Sequence, residues 1–210
     1  MVGGIAGGVG STIQIHSVGY PAYAFYVLKQ VYDANGKPIE GVYADNKADG
    51  ITTVDDQYRY KSPAPRVFLG FNSQMTYDNW SFGFVVRANV GNYVYNNFKS
   101  SNGAYINFAG SNGYISNISP NVYETQFAKN QFFSDYYLEN ASFMRVENVT
   151  LGYTFKKVLG NKINMRLNAT AQNVFTWTKY SGLNPEVSGG IDNNIYPVPR
   201  TYSLGLNIGF

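Results

Sequence analysis

The 210-residue sequence has no cysteine, which excludes a disulfide-stapled scaffold and any thiolate metal centre. Charge is scarce. Asp, Glu, Lys and Arg make up 14% of the chain, where an average soluble domain carries about 25%. The net charge of +3 is small and spread along the chain, which argues against a nucleic-acid partner. With one histidine, His16, and no cysteine, no nucleophile stands with a base and its orienter, so the chain is not read as an enzyme. No run approaches the ~20 apolar residues of a membrane-spanning helix. The opening MVGGIAGGVG has neither a basic leader nor a continuous apolar stretch, so it is not a secretory signal. The chain is therefore expected either to be cytoplasmic or not to begin where its gene product begins. The pattern of the remaining residues favours the second.

Aromatic and neutral polar residues fill the space that charge leaves. Aromatics reach 17%, which excludes disorder, and Asn occurs 24 times. They are arranged with period two, the mark of a strand. At the carboxyl end Tyr202, Leu204, Leu206, Ile208 and Phe210 fall on one face, with Ser203, Gly205, Asn207 and Gly209 on the other. The same alternation covers Val67–Tyr77 (Phe68 and Ser73 excepted), Trp80–Gly91 (Val85 excepted), Asn148–Phe155 and Ile163–Gln172. Two weaker strands are expected at roughly Ile5–Val18 and Ala22–Tyr32, which makes seven. No long amphipathic helix is expected; at most Asn121–Glu139 holds a short helical turn.

Connections alternate between short, such as Asp78-Asn79 and Lys156–Lys162, and long, at approximately 33–65, 98–142 and 180–200. Short turns on one rim and long loops on the other are the habit of outer-membrane barrels. Soluble domains rarely hold three loops this long. The polar faces carry Asn, Gln, Ser, Thr and Gly with Arg87 and Arg166 as isolated charges, as suits a wet lumen wall. Tyr77, Trp80, Phe155 and Phe210 stand at strand ends as members of one aromatic girdle. The expected fold is therefore an all-β, antiparallel transmembrane β-barrel. Seven open strands would expose unpaired backbone to lipid, so the chain reads as the last part of a larger barrel.

Three stretches resemble the end of SusC/RagA-type TonB-linked outer-membrane proteins. They are NASFMRVENVTLGYTF (Asn140–Phe155), LNATAQNVFTWTKYSGLNPEV (Leu167–Val187) and YPVPRTYSLGLNIGF (Tyr196–Phe210). VGYPAYAFY (Val18–Tyr26) and SPAPRVFLGFN (Ser62–Asn72) look similar to the same family. The resemblance implies the carboxyl-terminal part of a 22-stranded barrel in the outer membrane of a Gram-negative bacterium. It implies import of glycans or peptides, energised through TonB, under a SusD-like surface lipoprotein. The amino-terminal barrel, plug and TonB box are expected outside residues 1–210. Two other readings remain open: a soluble β-sandwich module that binds carbohydrate, and a structural barrel or adhesin without transport.

Individual residues carry narrower expectations. Asp45, Lys47, Asp49, Gly50 and Asp56 fall at positions 1, 3, 5, 6 and 12 of a calcium-loop pattern. Lys47 puts an ammonium where an oxygen ligand belongs, so a solvated turn is favoured over bound Ca2+, and no cofactor is expected. His16 shares a face with Thr12 and Gln14 and reads as a polar wall residue. The alternating row Tyr202, Leu204, Leu206, Ile208 and Phe210, with its terminal aromatic, resembles the signal read by the barrel-assembly machinery. Trp177 and Tyr180 are candidates for contact with substrate or lipoprotein, since aromatics anchor interfaces.

Overall fold

The computed structural model describes residues 1–5, 7, 10–109, 113–158, 163–193 and 196–209, without the side chains of 157 and 158. Phe210 lies outside the described residues. The chain forms two compact units. One comprises Arg66–Val90, Ser142–Lys179 and Pro197–Phe210; the other comprises Met1–Pro65, Gly91–Ala141 and Tyr180–Tyr196. No helix is long and apolar enough to cross a membrane.

The first unit is a single sheet of five strands. They are β1 (Val67–Tyr77), β2 (Trp80–Val90), β3 (Phe143–Val158), β4 (Ile163–Thr178) and β5 (Thr201–Gly209). They lie side by side in chain order, each antiparallel to its neighbour, so β1 and β5 are the open edges. The alternation of the sequence explains the register. Tyr77 faces Trp80 and Met75 faces Phe82 across β1 and β2. Tyr153 then faces Leu167, and Leu167 faces Leu206. Asp78 turns the β1–β2 hairpin with φ of 51°, a left-handed conformation that Asp tolerates.

β3 breaks the alternation at Glu147. The register shifts between Val146 and Asn148 against both neighbours. Opposite β2, Glu147 is one extra residue, a β-bulge. It returns Met144 and Val146, opposite Ala88 and Val86, to the apolar face shared by Val149 and Leu151. Arg145 then stands beside Arg87 on the polar face.

The second unit is made of short pieces. Val2–Gly4, Thr12–Ile15, Ala24–Val27 and Tyr58–Arg59 form one sheet. Leu138–Asn140, Tyr93–Asn96 and Ile191–Asp192 form another. Gln30–Tyr32 and Pro38–Tyr43 pair as a hairpin, whose turn is tied by the Asp33 carboxylate accepting from the N–H of Asn35 and of Lys37. Two short helices follow, α1 (Asn97–Asn102) and α2 (Asn121–Thr125). The core gathers Ile13, Phe25, Val27, Tyr95, Tyr137 and Leu138, with a second cluster of Val94, Ala141 and Tyr180.

This arrangement corrects the seven-strand expectation. The first amino-terminal candidate shrinks to Thr12–Ile15 and the second breaks into Ala24–Val27 and Gln30–Tyr32; Thr12–Ile15 pairs with Ala24–Val27, and none of the three joins the five-stranded sheet. Left-handed backbone at Gly19 (φ 81°) and Tyr23 (φ 58°) interrupts the extended run between the first two. Ile13, Phe25 and Val27 are fully buried, the reverse of a lipid-facing row. Much of the three long connections is likewise folded into this unit rather than loose.

Candidate functional site

The five-stranded sheet presents two chemically distinct faces. On one, Phe71, Met75, Leu151, Leu204 and Leu206 are each between 44% and 79% exposed. Soluble proteins rarely show a contiguous apolar patch beyond about 300–600 Å², and this one runs across all five strands. No second sheet is hydrogen-bonded to it among the described residues. Aromatic pairs mark both ends of the face. At the hairpin end Trp80 packs edge-on to Tyr153 (4.7 Å), which packs on Phe155 (4.6 Å). At the other end Phe175 packs on Trp177 (4.4 Å). Tyr153 pairs with Trp80 and Met144 with Trp177, so the two levels are separated by the run from Met144 to Tyr153. That run is about 30 Å long at ~3.3 Å per residue. A tilt of ~35–45° reduces it to about 23 Å, close to the ~25 Å apolar band of an outer-membrane barrel.

The opposite face is polar and mostly neutral. Thr150 Oγ1 lies 3.0 Å from Asn148 Oδ1 and 3.2 Å from Thr170 Oγ1. Arg166 donates to Asn168 Oδ1 and, across Gly152, to Ser81 Oγ, both at 2.9 Å. A Cβ at Gly152 would fall 2.5 Å from that Ser81 oxygen, so the glycine clears the way for the bond. The expectation of isolated charges needs correction at Arg87. Its Nη2 and Nε reach Glu147 Oε1 at 2.7 and 3.0 Å, because the bulge turns that glutamate toward it. Buried Arg145 donates to Thr176 Oγ1 at 3.0 Å, and its guanidinium lies 5.0 Å from the Phe143 ring centre.

The acidic loop serves its own backbone. Asp56 accepts from the N–H of Asn46 and Lys47 on one oxygen and of Thr53 on the other, at 2.8–3.1 Å. Asp45 accepts from Asp49 and Gly50, and Asp49 from Ile51. The Thr53 N–H bond above all holds the Asp56 carboxyl below its ordinary pKa; burial opposes this, and the Lys47 and Asn46 bonds and the Lys47 charge reinforce it. Lys47 pairs with Asp55 at 3.1 Å. Among the described residues no three Asp, Glu or His side chains converge as metal ligands.

The remaining candidates fall in different places. His16 is exposed and stacks edge-on against Tyr23 at 4.4 Å. Tyr202, Leu204, Leu206 and Ile208 stand on the apolar row of β5, 52–79% exposed; Phe210 is outside the described residues. Trp177, 55% exposed, occupies the apolar row of β4. Tyr180 is buried instead, and its hydroxyl donates to Asp192 Oδ2 at 2.6 Å. Burial, and then that bond, push its pKa well up. Tyr180 thus offers no ring face for a partner, and the sequence held no signal of this because Asp192 comes from a separate strand.

Over 98% of its length the chain is 43% identical to the TonB-dependent receptor SusC of Bacteroides thetaiotaomicron. It belongs to the SusC-type TonB-dependent receptors. It is also 27% identical, over 80% of its length, to the TonB-dependent receptor P26 of Formosa agariphila. The chain spans about a fifth of these relatives, 21% and 19% of their lengths. Among solved structures, it superimposes on part of the RagAB peptide transporter with a TM-score of 0.70 and 26% identity, covering 95% of this chain and 24% of that one. The same importer in its open-open state matches equally well, with a TM-score of 0.70, 24% identity, and 96% of this chain and 24% of that one covered. No family model matches. The SusC-type segment is thus mostly β, with antiparallel sheets like the corresponding portion of RagAB, and it belongs to a family of transporters rather than enzymes.

Proposed function

We infer that this segment is the carboxyl-terminal part of a 22-stranded outer-membrane barrel that imports glycans or peptides with energy delivered through TonB. One observation carries the reading: an unlayered sheet with one exposed apolar face, one neutral polar face and two open edges. Lipid is the solvent that suits the first face, and a wet lumen suits the second. The open edges of β1 and β5 need strands from the rest of the barrel, since unpaired backbone is not tolerated in hydrocarbon. The short Asp78-Asn79 turn then lies on the periplasmic rim, and the long connections at approximately 33–65, 98–142 and 180–200 are extracellular, on the side of a SusD-like lipoprotein. The row Tyr202, Leu204, Leu206 and Ile208, closing on Phe210, serves as the assembly signal. The unlayered sheet disfavours a soluble sandwich, which buries its apolar face against a second sheet.

Fractionation of the full-length receptor tests this. It is expected in the outer membrane, with migration that changes on heating in detergent, as closed barrels do. Protease added to intact cells is expected to cut a tag inserted beside exposed Tyr123 and to spare one inserted after Asp78. Recovery of the receptor in the soluble fraction without detergent would overturn the barrel. Appending charged residues after Phe210 is expected to lower outer-membrane yield.

A further inference from the structure

The net charge of +3 divides unequally between the two units. The sheet unit holds nine Lys and Arg against two carboxylates, Asp78 and Glu147, whereas the cored unit holds seven against eleven. Three of the nine, Arg87, Arg145 and Arg166, lie on the polar face. The other six stand at strand ends or just beyond them, three at each end of the sheet. Lys156, Lys157 and Lys162 gather at the hairpin end, where Lys156 lies 3.9 Å from Asp78. Arg66, Lys179 and Arg200 gather at the opposite end, where the sheet unit has no carboxylate to set against them, since Glu147 is taken by Arg87.

Two of these three continue the apolar rows. Trp177 and Tyr202 belong to the apolar rows of β4 and β5, and two positions further along the same phase come Lys179 and Arg200. Arg66 falls in the polar phase of β1. Lys179 and Arg200 are exposed, and neither side chain makes an ion pair among the described residues. The pairing of β4 with β5 stops at Gln172 and Thr201, which leaves Arg200 beside Asn173. That asparagine, at φ 53°, donates through Nδ2 to the Pro199 carbonyl at 3.0 Å. The backbone carrying Arg200 is thereby held to β4 before any ligand arrives. Lys179 comes six positions beyond Asn173, so the two cations stand at different heights of one rim, with Phe175 and Trp177 at levels between them.

Charge and depth select the ligand. Cations without carboxylates, placed just past an aromatic level on the lipid-facing phase, lie at the depth of lipid head groups. A guanidinium fork matches phosphate oxygens, and an ammonium adds a point charge. A phosphate monoester carries about −1.5 to −2 at pH 7, whereas the diester of a phospholipid carries a single charge, so two cations favour the monoester. Their different heights suit phosphates spread over an extended head group better than one compact ion. On the barrel reading this rim is the outer one. The outer leaflet of a Gram-negative outer membrane holds lipopolysaccharide, whose lipid A bears phosphate monoesters on a disaccharide.

We propose that Lys179 and Arg200 form a docking site for the phosphate monoesters of lipid A on the lipid-facing outer rim of β4 and β5. The proposal rests on the barrel reading and adds a specific lipid to it. The full-length receptor in a neutral detergent is titrated with fluorescent bisphosphorylated lipid A, with the same lipid after enzymatic removal of its phosphates, and with phosphatidylglycerol. Inorganic phosphate serves as a competitor. Lipid A is expected to bind, and removal of its phosphates to weaken binding about tenfold or more. Lys179→Gln combined with Arg200→Gln is expected to have an effect of the same size, with the heat-modifiable form retained because both side chains are exposed and unpaired. Should the double variant fail to assemble, Arg200→Gln alone is expected to weaken binding and Arg200→Lys, which keeps the charge, to preserve the larger part of it. Lys156→Gln, at the opposite end of the sheet, is expected to leave the affinity unchanged. Equal binding of dephosphorylated lipid A or of phosphatidylglycerol, displacement of lipid A by an equal concentration of inorganic phosphate, or equal affinities for the unaltered receptor and the Lys179 and Arg200 variants would each overturn the proposal. So would a loss in Lys156→Gln as large as theirs. Heat-dependent migration of the unaltered receptor reports separately on the barrel, so a failed docking site is distinguishable from a failed barrel.

Discussion

In the cored unit Ile13, Phe25, Val27 and Tyr95 are fully buried, whereas in the sheet unit Tyr202 and Leu204 stand 75% and 79% exposed. The residue classes are the same and their fates are opposite. Among the described residues, every buried hydrophobic side chain but Phe143 belongs to the cored unit. One unit hides its apolar surface from water by folding on itself. The other leaves an entire face bare, which is stable only where the surroundings are apolar. Two solvents thus act on one chain, and the same substitution has different consequences in each.

The sheet is expected to be most sensitive to phase, because a one-residue slip exchanges its faces. Deleting Glu147 removes the extra residue opposite β2 and sends Met144 and Val146 to the polar side. Loss of the heat-modifiable form of the full-length receptor is the expected result, while Glu147→Ala, which keeps the residue count, retains it. Equal assembly of the two variants would show that the bulge does not set the register. The cored unit is expected to be most sensitive to volume. Phe25→Ala removes a fully buried ring, a change that costs about 3–5 kcal/mol, readable as loss of protease resistance around residues 1–65. Truncating Leu206, half-exposed on the sheet, is expected to leave that resistance alone.

A paired substitution on β3 sharpens the contrast between its faces. Val149 lies opposite Phe84 and Ala171 on the apolar face, and Thr150 opposite Gly83 and Thr170 on the polar one. Val149→Arg puts a charge into the middle of the band and is expected to cost about 2–4 kcal/mol. Thr150→Arg points into the wet side and is expected to stay within about 0.5 kcal/mol. Chemical denaturation in lipid vesicles measures both. Equal costs would mean that the two faces share one solvent.

These experiments also divide what was legible in the sequence from what was not. The five long strands were legible because each holds its phase over a run long enough to be counted, in β3 and β4 over the uninterrupted parts Asn148–Phe155 and Ile163–Gln172. The bulge was hidden, since a single extra residue makes Phe143–Val146 look unpatterned until β2 is set beside it. The cored unit was barely legible. Its strands are two to six residues long, too short to establish a period, and its core joins Ile13, Phe25, Tyr95 and Tyr137 from distant parts of the chain. The acidic loop shows the same limit at a single site. Carboxylate spacing matched a calcium-loop pattern that Lys47 already disfavoured, but where each oxygen points depends on the backbone N–H groups that the turn brings to it.

Asp56 yields the smallest effect and the most local one. Its folded pKa is lowered, first by the Thr53 N–H bond, relative to an unfolded carboxyl near ~3.9. The unfolded chain therefore takes up its proton at a higher pH than the folded loop does. The stabilisation is fully present above the unfolded value and is lost as pH falls through the lower folded value. Amide hydrogen exchange at Asn46, Lys47 and Thr53 in the full-length receptor reads it directly. Protection at these three is expected to hold at about pH 6 and to weaken progressively below about pH 4, while Phe25 and Tyr95, whose N–H groups are not given to a carboxylate, keep theirs. Asp56→Asn leaves an acceptor for Asn46 and Lys47 but sets an N–H donor against the Thr53 N–H. It is expected to lower protection at Thr53 at every pH and to remove the acid dependence at all three. Persistence of the acid dependence in Asp56→Asn would place its origin in another carboxyl, with Asp45, which accepts from Asp49 and Gly50 in the same loop, the next to substitute.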